Sequence, residues 1–417
     1  MIVPSEGEDD LGQKAKATNT FLRYALKLAY RKDENLGSQG SLEVLKEELD
    51  YFTVTKAPGN LPFPHSLSWR ESAISGKRKG KQFISTEGEG DARIVRLHQD
   101  GGSRGRPLWQ VKRLNRTVLS TTNTSESPTA LLARREMQSW RLVQLEPSAL
   151  RKPDEFSNPT KMGSNGSHLA AILYRLAHQN GDVAKNGGNS NVCARVANRL
   201  AELIDDVRTV SIDRDEKREL LTVNVTGADK TAHAARSLSD GTLRFLALAV
   251  LEQDPEVQGV LCLEEPENGI HPARIPAMIR LLQDIATDTS EPVGPDNPLR
   301  QVIVNTHSPS VFLQVPPDSV LMALPAEIIH SGTRFGAVRF CCIPDTWRSK
   351  SPESHTCTKG DFLPYLSPVL PDDSGSISST STRQETSERR PQRKRERVVD
   401  LLQSWFQYPP ESSNQHD

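Results

Sequence analysis

Two adjacent carboxylates, Glu264 and Glu265, directly follow the apolar run Val260–Leu263. A continuous apolar run predicts a buried parallel strand, and open α/β sheets bind ligands at the carboxyl ends of such strands. Two carboxylates placed there can divide the chemistry. Glu264 would hold Mg²⁺ directly or through water, and Glu265 would act as a general base toward an attacking water molecule. The alternative is a surface acidic pair that caps the helix predicted to begin near Pro272.

The second segment that could do chemistry is Leu-Ser-Asp-Gly-Thr at 238–242, which precedes a predicted helix. The first turn of a helix offers unpaired N–H groups and a positive dipole end, and both suit a phosphate. The hydroxyl of Ser239 would add a donor, and Gly241 would allow a close backbone approach. Asp240 and Thr242 complete this candidate nucleotide-binding set. The alternative is an ordinary Ser/Asp N-cap without a ligand.

His307 is the third candidate, because it follows the predicted strand Val302–Asn305. A histidine at the tip of a strand next to the one that ends in Glu264 can hydrogen-bond a γ-phosphate or the attacking water. The alternative is a half-buried histidine that fixes a loop. His271 is a weaker candidate, since its position favours capping or packing beside the turn after Glu267.

From Gly166 onward, the elements that must position these residues alternate between helix and strand. The predicted segments are helices after Ser167, over Val192–Ile204, after Gly241 and over Pro272–Ala286, and strands over Val207–Ile212, Leu220–Val225, Gly259–Leu263 and Gln301–Asn305. This alternation predicts a mostly parallel sheet with helical crossovers. Val320–Leu324 and Ala337–Ile343 are expected to add edge strands.

The N-terminal part of the chain has a different character. Phe21–Tyr30 with Leu42–Thr55, and Gln82–Ser85 with Ala92–His98, predict antiparallel strand pairs. We therefore expect an antiparallel region with loops over 1–160 and an α/β core over 161–345. A C-terminal extension over 346–417 is Ser/Thr-rich and then charged, and we expect it to be largely disordered from about 371.

Composition excludes several classes of protein. The net charge of −1 gives no global basic field for nucleic acid or an anionic membrane. There is no apolar run long enough to span a bilayer, and the N-terminal residues do not form a signal peptide. The five cysteines lack Cys-x-x-Cys spacing, which favours reduced thiols in the cytoplasm over a disulfide framework or a zinc site.

In order and spacing, the three segments resemble the signature, Walker B and switch-histidine motifs of ABC-type ATPases. The string Glu-Pro-Glu-Asn-Gly-Ile-His-Pro at 265–272 is similar to the RecF/SMC-like branch of AAA-type predicted ATPases, to which the OLD-family ATPases are related. The resemblance covers roughly 235–310, with thinner similarity at 21–24, 169–173 and 359–366. It implies a P-loop NTPase-like α/β fold and ATP with Mg²⁺ as cofactors.

The resemblance also implies roles for single residues. Glu264 matches the magnesium-binding acid, which is usually Asp in this family, so Glu is a departure that would lengthen the metal contact. Glu265 matches the catalytic Glu, and His307 matches the switch histidine.

Four further positions match residues that work between two subunits. Ser239 and Gly241 match signature residues that contact ATP bound to the opposite subunit, while Asn268 and Gly269 match the region that crosses the dimer interface. The family function this implies is ATP-driven closure of a dimer, with a second copy or another subunit as partner and no membrane. DNA is a partner by family analogy only.

A phosphate-cradling Gly-x-x-x-x-Gly-Lys-Ser/Thr loop does not occur in the sequence. The nearest string, Gly76–Gln82, has spacing one residue short and lacks the hydroxyl, so a basic turn is the better interpretation. Because this family places the loop near its N-terminus, the chain is expected to begin just past a strand–loop–helix unit of about 30 or more residues. Loss of that unit should expose apolar surface.

Two other functions compete with an ATPase. A non-catalytic subunit could donate Ser239 and Gly241 to an intact partner, although retention of Glu265 and His307 argues against this. A nuclease toxin related to the OLD family is set aside, because residues 345–417 show no acidic cluster on strands suited to two metals.

Overall fold

The computed structural model describes residues 1–32, 40–78, 80–100, 108–111, 114, 116–123, 127–179, 191–330, 332–358, 360–362 and 397–400. The strands are β1 Glu6–Glu8, β2 Lys14–Lys16, β3 Leu22–Lys32, β4 Gly40–Tyr51, β5 Ile84–Glu87, β6 Ile94–Leu97, β7 Leu108–Gln110, β8 Arg141–Val143, β9 Asp154–Glu155, β10 Val207–Asp215, β11 Leu220–Gly227, β12 Ala232–Ala234, β13 Gly259–Glu264, β14 Arg300–Asn305, β15 Leu321–His330, β16 Thr333–Cys342 and β17 His355–Thr356. The helices are α1 Ala57–Asn60, α2 Leu67–Ala73, α3 Pro128–Ser139, α4 Pro147–Leu150, α5 Leu169–Gln179, α6 Asn191–Ala201, α7 Asp240–Gln253, α8 Ile275–Ile285 and α9 Pro309–Phe312. Apart from 397–400, the tail predicted to be disordered lies outside the described residues.

A three-stranded parallel sheet carries the candidate catalytic residues, with β13 in the centre between β14 and β8. Leu261 and Leu263 of β13 belong to one buried cluster with the apolar residues of α5, α6, α7 and α8. Helix α7 is apolar on all sides, and its residues from Phe245 to Leu251 are at most 2 % exposed, as expected for a helix enclosed by other elements. The predicted α/β fold with a parallel sheet is confirmed.

The opposite face of this sheet is open to solvent within the described residues. The strand registers place Cys262 beside Ile303 and Leu142, and the side chains of Ile303 and Leu142 are 48 % and 65 % exposed. Parallel sheets usually have both faces covered. Ile303 and Leu142 therefore leave apolar surface exposed on this outer face.

Every helix and strand predicted between Ser167 and Asn305 is present, with ends shifted by a few residues. Strands β10 and β11 pair with each other and join β9 and β12 in a separate antiparallel sheet. Strand β8 precedes the expected boundary at residue 160, yet it pairs with β13. The domain boundaries themselves stay predictions.

The N-terminal region contains a five-stranded antiparallel sheet in the order β3-β4-β5-β6-β7, beside the short β1-β2 pair. Both predicted antiparallel pairs, β3 with β4 and β5 with β6, are confirmed. Buried residues on these strands, including Leu22, Leu49 and Val95, form a second hydrophobic cluster. None of the helices in the described ranges is long and apolar enough to cross a bilayer.

Glu47 on β4 makes the stability of this region sensitive to pH. Its buried carboxylate accepts N–H groups of Val118 and Leu119 at 2.7 and 2.8 Å and the hydroxyl of Tyr24 at 3.2 Å. Burial raises the pKa of Glu47 above its usual 4.5, and the hydrogen bonds only partly offset this effect. Because the folded state then holds the proton more tightly than the unfolded state, the free energy of unfolding should fall as pH rises from 4.5 through the raised pKa.

Denaturant unfolding of the wild type and of Glu47→Gln, measured between about pH 4 and pH 8, checks this expectation. Glutamine does not titrate, so the free energy of unfolding of the variant should fall less with rising pH over this range than that of the wild type. An identical pH dependence in the two proteins would contradict it.

Strands β15 and β16 form a hairpin with β17 alongside, in a sheet separate from the parallel one. The expectation that Val320–Leu324 and Ala337–Ile343 extend the parallel sheet is therefore wrong. The two strands follow each other closely in sequence, which favours pairing as a hairpin. Met322 and Cys341 are buried in a separate cluster with Phe362, so their apolar surface is covered without the parallel sheet.

Arg300, the first residue of β14, fixes the end of α7 to the parallel sheet. It is 8 % exposed and donates to the carbonyl oxygens of Glu252, Asp254 and Val257 at 3.1, 2.5 and 2.5 Å. Arg300→Met keeps most of the volume but leaves these carbonyls without their donor, so the free energy of unfolding should fall by about 3 kcal/mol. Chemical denaturation measures this, with Arg300→Lys as the control that should lose less. A methionine variant as stable as the wild type would show that water replaces the guanidinium.

Candidate functional site

Glu265 is held in an uncommon backbone conformation just after β13. Its φ is 42°, in the left-handed region, which costs a non-glycine residue about 1–3 kcal/mol. Its N–H donates to the carbonyl oxygen of Asn305 at the end of β14, at 2.8 Å. The turn that leaves β13 is therefore fixed to the neighbouring strand.

Asn268 orients the carboxylate of Glu265. Its Nδ2 donates to Oε2 of Glu265 at 2.7 Å, and its backbone N–H donates to the carbonyl oxygen of Glu265 at 3.1 Å. Glu265 is half-buried, whereas Glu264 is exposed at the end of β13 on the same side as Cys262. The two adjacent carboxylates thus lie in different environments, which their different predicted roles require.

His307 follows β14 and is exposed. With Glu265 it lines a surface pocket of about 370 Å³. The other residues around this pocket are Glu267, Asn268, Gly269, Ile270, Pro272, Ile275, Ser308 and Ser310. Neighbouring parallel strands therefore bring Glu265 and His307 together at one edge of the sheet. His271, the weaker candidate, caps a short 3-10 helix by accepting the N–H of Ala273 at 3.2 Å.

Ser239 is the N-cap of α7. Its Oγ accepts the N–H of Thr242 at 3.2 Å and lies 2.7 Å from the hydroxyl oxygen of Thr242. Asp240 in the first turn forms an ion pair with Arg151 at 2.5 Å. This is the geometry of an ordinary cap, and nucleotide binding by these residues stays a prediction.

Gly241 brings the start of α7 against the turn after β13. A Cβ at this position would lie 2.2 Å from the carbonyl oxygen of Gly269. Arg244 adds to the contact by donating to the carbonyl oxygens of Asn268 and, at 3.0 Å, Leu145. The segment 239–242 and the turn after Glu265 therefore form one continuous surface.

Several residues of this surface escaped prediction from sequence. Glu267 is buried and accepts the hydroxyl of Thr306, and Arg151 and Arg244 pair with Asp240 and the backbone of Asn268. Glu267 could have been noticed in the sequence, because it is the third acid in the string Glu-Glu-Pro-Glu. The two arginines gave no signal, because their partners lie far away in the chain.

Glu264 is the residue that is predicted to hold Mg²⁺, and it is not among the residues that line the pocket with Glu265 and His307. Mg²⁺ is usually bound by one or two carboxylates and completes its octahedron with water and substrate phosphates. Within the ranges that the structure describes, no group of three or more His, Cys, Asp or Glu side chains is placed to bind a metal. Glu264 therefore fits Mg²⁺ only together with water and phosphate oxygens.

The fold and the site together define the class of protein. A mixed α/β chain has a parallel core sheet, and the carboxylates and the histidine that could act on a phosphate lie at the carboxyl end of that sheet. This is the P-loop NTPase-like class of fold.

A sequence match gives the family that one part of the chain resembles. Residues 195–313 match the family described as "AAA domain, putative AbiEii toxin, Type IV TA system", and this stretch contains all the candidate site residues. Over these residues the chain is similar to AAA-type ATPases, which is consistent with the ABC/SMC-like resemblance of its motifs. Members of this class generally bind ATP with Mg²⁺.

Solved structures similar to the chain are SMC head domains, at low identity. A structure from work on ATP-driven dimerization and DNA-stimulated activation of SMC ATPases is 10 % identical, with 36 % of this chain and 83 % of that one covered and a TM-score of 0.24. An SmcHead bound to the C-winged helix domain of ScpA is 10 % identical, with 60 % and 68 % covered and a TM-score of 0.32. The SMC head domain from Thermotoga maritima is 11 % identical, with 59 % and 68 % covered and a TM-score of 0.24. Such TM-scores support no inference about this chain, and no curated protein matches it.

Proposed function

We propose that this chain acts in ATP binding and hydrolysis as a subunit of an ABC/SMC-like ATPase that works as a dimer with composite sites. The observation that carries the proposal is the pocket shared by Glu265 and His307 at the carboxyl end of the parallel sheet. The family match over 195–313 supports the choice of ATP as the ligand.

In this proposal Glu265 is the general base. Asn268 holds its Oε2, so Oε1 remains available, among the described residues, to accept a proton from water. His307 lines the same pocket and would donate to the terminal phosphate. Glu264 would hold Mg²⁺ together with phosphate oxygens.

The second subunit is either another copy or a related partner. Ser239, Asp240, Asn268 and Gly269 are all exposed, and their segments are joined through the Gly241 contact. This surface would contact nucleotide held by the opposite subunit. The 417 residues contain no Gly-x-x-x-x-Gly-Lys-Ser/Thr string, so the proposal assigns none of them to a loop that cradles the phosphates.

The test uses the native complex, which is isolated from the cells that encode this chain by means of an affinity tag on the chain. Phosphate release from Mg–ATP is compared for the wild type, Glu265→Gln and Ser239→Arg. Ser237→Arg is the matched control, because it places the same side chain on an exposed residue two positions upstream. Loss of hydrolysis in both test variants, but not in the control, would support the proposal.

Other outcomes separate the alternatives. Loss in Ser239→Arg with full activity in Glu265→Gln would favour a non-catalytic subunit that completes its partner's site. If neither variant differed from the wild type, the chain would take no part in the hydrolysis that copurifies with it.

A further inference from the structure

Glu267 is buried beside the pocket in a way that the proposed chemistry leaves unexplained. It is 7 % exposed, and its Oε1 accepts the hydroxyl of Thr306. Its Oε2 is buried and has no hydrogen-bond partner within the described part of the chain. Burying a half-paired carboxylate costs stability, and such groups in native structures usually have a specific role.

The hydroxyl of Thr306 connects Glu267 to the segment that carries His307. It donates to Glu267 and accepts the N–H of Ser308 at 2.9 Å. Thr306 and Ser308 flank His307, so this hydroxyl fixes the backbone on both sides of the histidine. The imidazole of His307 is exposed and makes no hydrogen bond with the described residues, so its position depends on that backbone.

The turn after β13 thus reaches the end of β14 in two places. The N–H of Glu265 donates to the carbonyl oxygen of Asn305, and the side chain of Glu267 accepts from the next residue, Thr306. Glu265, Glu267 and His307 all line the same pocket. A change in the turn that carries Glu265 is therefore passed to His307 through a carboxylate and a hydroxyl.

We propose that Glu267 is a positioning residue for His307, acting through the hydroxyl of Thr306. It sets the place of the imidazole relative to the carboxylate of Glu265 without contacting the nucleotide. The catalytic consequence rests on the proposed ATPase function, whereas the effect on the backbone around His307 does not.

The experiment compares Thr306→Val, Thr306→Ser and Glu267→Met in the chain purified from its own cells. Valine has the shape of threonine without the hydroxyl, and serine retains the hydroxyl. Hydrogen–deuterium exchange of the segment 303–312 is measured in every variant, together with kcat and KM for Mg–ATP. Thermal unfolding shows whether the fold is intact.

Thr306→Val is expected to increase deuterium uptake over 303–312 and to lower kcat about tenfold, with KM within about twofold of wild type. Thr306→Ser should behave like the wild type in both measurements. Glu267→Met, which cannot accept the hydroxyl of Thr306, should also lower kcat, and the double variant Glu267→Met/Thr306→Val should be no slower than Thr306→Val, because both changes act on one connection. These results together would support the proposal.

Four results would decide against the positioning role or against the ATPase. Wild-type uptake and kcat in Thr306→Val, or equal losses in the valine and serine variants, would overturn the positioning role. If Thr306→Val lowered the melting temperature and impaired both kcat and KM, Glu267 would be only a structural contact, and the positioning role would be overturned as well. If no form hydrolyses ATP but Thr306→Val still increases uptake over 303–312, the ATPase proposal fails and the positioning of His307 stands.

Discussion

Glu265→Gln is expected to lower the rate of ATP hydrolysis by about 10²–10⁴-fold, the usual contribution of a positioned general base. Glutamine has the size of glutamate, and its Oε1 can still accept the bond from Nδ2 of Asn268. The neutral amide cannot take a proton from water, so the chemical step is lost while the turn after β13 is kept. Nucleotide affinity should stay within about threefold, because the change affects the transition state and not the ground state.

Phosphate release at saturating Mg–ATP, together with binding of a fluorescent ATP analogue, measures both effects in the complex from its own cells. Glu353→Gln is the matched control, because it removes the same charge from an exposed residue that does not line the pocket. Asn268→Ala should have a smaller effect, near tenfold or about 1.4 kcal/mol, since it loosens the base without removing it. If Glu265→Gln retained more than half of the wild-type rate, another group would have to be the base.

Gly241→Ala is expected to lower the free energy of unfolding by about 1–3 kcal/mol, the usual cost of overpacking. Local propensity alone predicts the opposite sign, because alanine is favoured over glycine inside a helix by about 0.5–1 kcal/mol. The steric contact determines the sign of the change in stability, because the added Cβ would lie 2.2 Å from the carbonyl oxygen and 2.7 Å from the carbonyl carbon of Gly269. Both obstacles are backbone atoms, so no side chain can rotate away.

Thermal and denaturant unfolding measure the difference, with Gly59→Ala as the control, because no atom lies within 4 Å of a Cβ built there. The variant should also separate α7 from the turn after β13, which would move Asn268 away from Glu265. Greater stability in Gly241→Ala would show that helix propensity outweighs this contact.

The central elements of the fold could be predicted from local sequence patterns. Apolar periodicity located α5 to α8 as well as β13 and β14, because the spacing of apolar residues depends directly on which side of a helix or strand is buried. The positions of Glu264 and His307 at the ends of strands followed from the same patterns, since polar residues after an apolar run mark the edge of a sheet. The family resemblance then gave these positions their predicted roles.

Pairing between distant segments could not be predicted in this way. Strands β15 and β16 were expected to extend the parallel sheet, but they form a hairpin in which Met322 and Cys341 are buried in a separate cluster with Phe362. Strand β8 was overlooked since Arg141–Val143 is too short to show a period. A local pattern of apolar residues predicts that a strand exists, but it does not predict which strand pairs with it.

The sequence by itself determined the order of strands and helices between Ser167 and Asn305, the family resemblance, and which acid and histidine stand at the ends of strands. Only the tertiary structure decided the φ of 42° at Glu265, the bond from Thr306 to Glu267 and the close approach of Gly241 to Gly269. The physical reason is that each of these features depends on backbone segments brought together by the packing of β13, β14 and α7. Their energies come from contacts between residues separated by tens of positions, and no local spacing encodes such contacts.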